Sequence, residues 1–268
     1  MPPLDTLLAG LARERSTGAL RVGRAGTVFL DEGRVTYMDC AQTPGAERLL
    51  AARGRMSEAA LRRLQADGGC ERLLDQGPVT LGELQYCVLG AVLDAAFFLL
   101  PTTGTRPKFR PGERHWLGGR WYFDVPGLVR ECARRRAQLA QVWPVADVDT
   151  EPVRPAPRLS GRGVALSDVQ WEIVVRADRE ATPLELAKQL GRSGYSVLLA
   201  VRRLAAAGLL VTGEQTAPLP KRTRRAEPQQ DGAAGARASG GPLGPTVNAD
   251  PTDVELLLRL RKALEELS

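Results

Sequence analysis

The chain has 268 residues, 43% of them hydrophobic, and a formal charge of +6; that is apolar material for one large domain or two smaller ones, with a modest basic surplus that favours anionic partners. Its four cysteines (Cys40, Cys70, Cys87, Cys132) form no close pair, which argues against a metal or redox motif. No apolar run approaches the roughly 18 residues of a membrane span and no basic-then-apolar leader is visible, so a cytoplasmic protein with reduced thiols, no metal and no cofactor is expected.

Residues 1–146 read as an α+β domain. Leu4, Leu7, Leu8 and Leu11 have helical spacing, and Ser16-Thr17-Gly18 breaks it. Ala19–Val22, Thr27–Leu30 and Arg34–Met38 are short β-rich runs with turns at Gly23–Gly26 and Asp31–Gly33, which predicts a small antiparallel meander. Helices are expected over 45–53, over 57–66 with Ser57 as N-cap, and as a separate short piece over 71–75. Thr80 opens a helix to Leu100 that is apolar on most faces and should be the central one. Lys108–Arg110 is β-like, and Asp124 caps a last helix carrying Leu128, Cys132 and Leu139. Its Arg134-Arg135-Arg136 triplet reads as a solvated face, and Cys87 and Cys132 as buried small hydrophobes.

Residues 147–162 contain Pro152, Pro155 and Pro157 and read as a linker. Residues 163–214 form a compact, mainly helical module: Ser167 caps one helix, Thr182-Pro183 starts a second, and a third runs from Ser196 to Ala206 before Gly208 stops it. Residues 215–250 are rich in Pro, Gly, Ala, Gln and Arg and are expected to be disordered. Over 251–268, Leu256, Leu257, Leu260, Leu264 and Leu267 make the apolar stripe of an amphipathic helix, suited to a protein partner or a second copy.

Enzyme signatures are missing. The lone histidine, His115, follows a Pro-Gly turn and reads as structural, no phosphate-binding loop occurs, and Asp31-Glu32 sits in a turn.

Two resemblances sharpen the reading. Gly18-Ala19-Leu20-Arg21-Val22 followed by Thr27 to Val35 resembles the PATAN-type domain of bacterial signalling proteins, with Met38-Asp39-Cys40 departing from its usual Ala-rich continuation. That likeness implies protein interaction or signal input and no catalytic residues. Thr182-Pro183-Leu184-Glu185-Leu186-Ala187 through Leu190-Gly191, with Arg202-Arg203-Leu204 and Gly208-Leu209-Leu210, resembles winged helix-turn-helix domains. In such domains the third helix enters the major groove. The likeness implies base contacts near Ser193, Tyr195 and Ser196 and phosphate contacts from Arg192, Arg202 and Arg203. Lys221, Arg222, Arg224 and Arg225 would add a basic arm. Val197–Ala200, expected to be exposed, is apolar where groove-reading helices are polar, so Leu198 and Leu199 point instead to a protein contact. Two functions follow: a DNA-binding transcriptional regulator with a signal-input module, or a non-enzymatic signalling adaptor, as in small-GTPase-linked pathways, that uses the winged helix to touch protein.

Overall fold

The first four strands pair as a purely antiparallel sheet in the order β3-β2-β1-β4, with β1 Gly18–Val22, β2 Gly26–Asp31, β3 Arg34–Cys40 and β4 Lys108–Pro111. The computed structural model describes residues 3–212 apart from 53, 55, 78, 105, 159–162 and 179, and these belong to one compact unit. The basic arm around Lys221–Arg225 and the leucine stripe of Leu256–Leu267 lie outside the described residues.

β1 to β3 form the meander read from the sequence, with Ala19 opposite Phe29 and Phe29 opposite Tyr37. The chain returns late to add β4, pairing Ala19 with Arg110. The Gly112 N–H donates to Thr17 O, which fixes the phase of this ladder. Lys108 and Arg110 therefore bond toward β1, and Phe109 offers its N–H on the open edge. Pro107 and Pro111, two residues to either side, have no N–H to offer there, and the exposed Lys108 and Arg110 flank it. A short, charged, proline-bracketed edge resists addition of a further strand.

Five helices accompany the sheet: α1 Leu4–Arg13, α2 Ala46–Ala52, α3 Glu58–Gln76, α4 Leu81–Leu99 and α5 Val125–Val142. Their starts are set locally. Ser57, Thr80 and Asp124 each accept a backbone N–H from the first turn, and Thr80 with Glu83 completes a capping box. α3 is one helix, not the two pieces expected. Gly69 within it is left-handed, which interrupts the apolar rhythm, while buried Cys70 and Leu73 carry the helix on. Among the described helices, α4 alone has the length and hydropathy to cross a membrane. It is the central helix of the core, packed on β3, α2 and α5 with Leu84, Val88, Val92 and Leu99 sealed from solvent.

The expected linker is structured over its first half. A 3₁₀ turn, Asp147–Asp149, leads to β5, Val153–Pro155, which pairs antiparallel with β6, Leu210–Thr212. Val148 and Val153 are buried there, and the extended backbone that the prolines favour is the one β5 uses. Three helices complete the unit: α6 Asp168–Arg176, α7 Pro183–Leu190 and α8 Gly194–Ala206. They surround a second apolar core of Ile173, Leu186, Val197, Val201 and Leu204. Ser167 and Thr182 cap α6 and α7 through capping boxes. The chain is thus α+β, a small antiparallel sheet with many helices. The two cores are joined by α8, whose Tyr195 and Leu198 belong to the sheet's core and not to its own.

Candidate functional site

The seam between the two cores is built around a single carboxylate. Asp94 is the only charge between Glu83 and Arg106, and α4 carries it fully buried. Helix α8 arrives with its N-terminus facing this residue. Asp94 accepts from Ser193 Oγ at 3.0 Å, Gly194 N at 2.6 Å and Tyr195 N at 3.4 Å. It thereby supplies the acceptors that the first turn of α8 lacks, and sits at the positive end of that helix. Helix α5 contributes Arg135, whose Nη1 donates to Asp94 at 3.1 Å and whose Nε donates to Glu131 at 2.9 Å. The guanidinium also lies 4.4 Å from the centre of the Tyr195 ring. Tyr195 in turn donates its hydroxyl to Gln138 at 2.7 Å. Burial pushes the Asp94 carboxyl above its ordinary range, and Arg135 with the three donors pulls the other way. Glu131, less enclosed and held by Arg134 and Arg135, drops to about 2.

Further contacts fasten the seam. Lys188 Nζ donates to Ala41 O at 2.7 Å, and Arg48 Nε to Lys188 O at 3.0 Å. On the sheet's side of it, Arg136 of α5 donates to Phe97 O of α4 at 3.1 Å. Gly191 ends α7 in the left-handed region at φ 60°, and a Cβ added there would stand 2.1 Å from Ala52 Cβ on α2. Gly191→Ala is therefore expected to lower stability by about 2 kcal/mol, combining left-handed strain with a clash at the seam. Urea titration of the two proteins checks this; an unchanged midpoint would mean that the α2 contact is not tight.

The residues expected to read DNA lie differently from the reading made on sequence. Arg192 pairs with Glu172 at 2.7 Å and Asp168 at 3.2 Å. Ser193 caps α8 while donating to Asp94, and Tyr195 is buried. Ser196 is exposed, and Arg203 is half-buried. Arg202 is buried at 6% exposure, forked onto Asp149 at 2.8 and 2.5 Å with a third bond to Trp143 O. A bidentate, enclosed arginine of this kind holds the 3₁₀ turn to α8 and has no free face for a phosphate. The apolar middle of α8, expected to be exposed, is covered: Leu198 is 2% exposed in the sheet's core, and Leu199 packs against that core. Arg135 is likewise buried and not part of a solvated face.

Beside this network a cleft of about 510 Å³ opens between α2 and α4 on one side and α6, α7 and the start of α8 on the other. Leu49, Tyr86, Leu89, Leu93, Val169 and Leu190 give it apolar walls, and Arg135, Glu172, Arg192, Ser193 and Ser196 its polar points. Among the described residues no three metal-ligating side chains cluster. His115 stacks on Tyr37 with ring centres 3.9 Å apart, and burial lowers it to about 3, leaving it neutral at ordinary pH. The seam's carboxylates are each committed to cations or N–H donors, an arrangement suited to holding two cores together. No family model, curated protein or solved structure matches the chain.

Proposed function

We propose that this chain is a non-enzymatic signalling adaptor: a PATAN-like input module fused to a winged helix that serves as a scaffold for protein contact. One observation carries the reading. The helix that would enter a DNA groove has its N-terminal turn filled by Asp94 and its apolar middle buried in the neighbouring core. Two of the three arginines that would grip phosphate, Arg202 and Arg192, are drawn into ion pairs at Asp149 and at Glu172 and Asp168. Helix α6 of the second module turns two large apolar side chains outward. Trp171 and Val175, one turn apart on α6, are 60% and 62% exposed, and tryptophan is enriched among residues that dominate protein interfaces.

The test is retention of the full-length chain on mixed genomic DNA fragments across a salt series. No retention, or weak retention that salt abolishes without sequence enrichment, is the expected result. Enrichment of a defined motif at moderate salt would overturn the adaptor reading in favour of a DNA-binding regulator.

A further inference from the structure

The cleft between the two cores has a built floor. Arg135 is nine-tenths buried, with 10% of its side chain accessible, and it lines the cleft. Its Nε and Nη1 are engaged by Glu131 and Asp94, and Nη2 makes no hydrogen bond among the described residues. The only sealed side-chain nitrogen or oxygen without a partner among them is Trp143 Nε1, so Arg135 Nη2 reaches solvent, and the cleft is the opening that its side chain lines. An enclosed guanidinium whose unused N–H donors reach solvent through an apolar-walled cleft offers them to an acceptor that enters there.

We infer that this cleft is an effector site for a small, uncharged, largely apolar molecule bearing a carbonyl-type acceptor, which Arg135 Nη2 would take. Size fits, since about 510 Å³ lies within the range of small-molecule pockets, and a domain seam is where such pockets concentrate. Charge selects the class. Arg135 already faces two carboxylates, Asp94 and Glu131, and Arg192 two more, Glu172 and Asp168. An anionic ligand would meet that acidic surplus in a partly desolvated place, and a cation would offer Arg135 Nη2 no acceptor and face its positive charge. A neutral carbonyl accepts from Nη2 at no charge cost, with its apolar body against Leu89, Leu93 and Val169 and the exposed Ser196 hydroxyl as a second polar point. The occupant would touch α4 on one side and α6 to α8 on the other, so its binding would tighten the seam. This inference goes beyond the adaptor reading and does not depend on it: ligand binding is measured with no DNA and no partner protein present.

The test uses three probes with one ring system: 2-acetonaphthone (neutral, with a carbonyl), 2-naphthoate (an anion) and naphthalene (no acceptor). Each is titrated into the full-length chain while backbone amide shifts are followed. Saturable one-to-one binding of 2-acetonaphthone is expected, with shifts over 86–93 and 191–196 and about tenfold weaker binding of the other two, the cost of one missing or mischarged polar contact. Leu89→Arg should abolish binding; Leu89 is 43% exposed, so the fold tolerates the change, and Val169→Arg on the opposite wall should act alike. The inference is overturned by an absence of saturable shifts with 2-acetonaphthone, by shifts elsewhere, by naphthoate or naphthalene binding as tightly, or by retained affinity in both arginine variants.

Discussion

Replacing Asp94 with alanine is expected to lower the stability of the chain by about 3 kcal/mol, the lower end of what removing one partner from a buried ion pair costs. The loss has two parts. Arg135 would stay buried with only Glu131 to balance it, and Ser193 Oγ, Gly194 N and Tyr195 N would lose their acceptor at the mouth of α8. Glu131 keeps the first part small, which is why the lower end is chosen. Asp94→Asn preserves the shape but turns an amide N–H₂ toward N–H donors, so it should fall between wild type and alanine. Asp94→Leu combined with Arg135→Met removes both charges and should cost less than Asp94→Ala alone, because no charge is left without a partner. Denaturant titration gives the total, and amide hydrogen exchange locates it. In Asp94→Ala the first turns of α8 should exchange faster while the β1–β3 ladder keeps its protection. Equal protection in α8, or a midpoint matching wild type, would remove Asp94 from its place as the pin of the seam.

How much of this was legible follows from sequence distance. The meander was readable because its alternation and Gly turns are local, and the N-caps at Ser57, Thr80, Asp124, Ser167 and Thr182 because a cap needs only three residues of context. The Pro-rich stretch was misread because β5 takes its partner, β6, from beyond three intervening helices. Asp94 left a signal, a lone charge inside an apolar helix, but its donors lie 41 residues (Arg135) and about a hundred residues (Ser193 to Tyr195) further along the chain. The Arg134-Arg135-Arg136 triplet left one too. Leu128, Cys132 and Leu139 set an apolar stripe at helical spacing, and the middle arginine, Arg135, falls on that stripe between Cys132 and Leu139 and turns inward. Leu198 could not be placed, because an apolar helix face reads the same whether a partner protein or the chain's own α4 and α5 cover it.

His115 and Asp39 should give the chain two opposed pH dependences that nearly cancel. Burial lowers His115 to about 3, so between there and the ordinary imidazole value near 6.5 the unfolded chain binds the proton that the fold refuses. Stability from this group is present above that window and is lost as pH falls through it. Asp39 runs the other way. Burial, with Glu47 adding repulsion, raises it to about 6, so between its ordinary value and 6 the folded state holds the extra proton. Stability from Asp39 is present below that window and is lost as pH rises through it. Between about pH 4 and 6 the two slopes oppose each other, and below 4 the histidine acts alone with Glu131, whose lowered carboxyl also costs stability on acidification. His115→Phe keeps a ring against Tyr37 and removes the proton site, so this variant should lose stability as pH rises from 4 to 6. Asp39→Asn removes the Asp39 share of the opposing slope, the raised Asp94 keeping its own, and should change toward higher stability than wild type over the same interval. Urea midpoints at pH 4 and pH 6 for wild type and both variants decide the matter. The two differences must carry opposite signs, and slopes of the same sign would mean that one of these groups is solvated and titrates as it does in the unfolded chain.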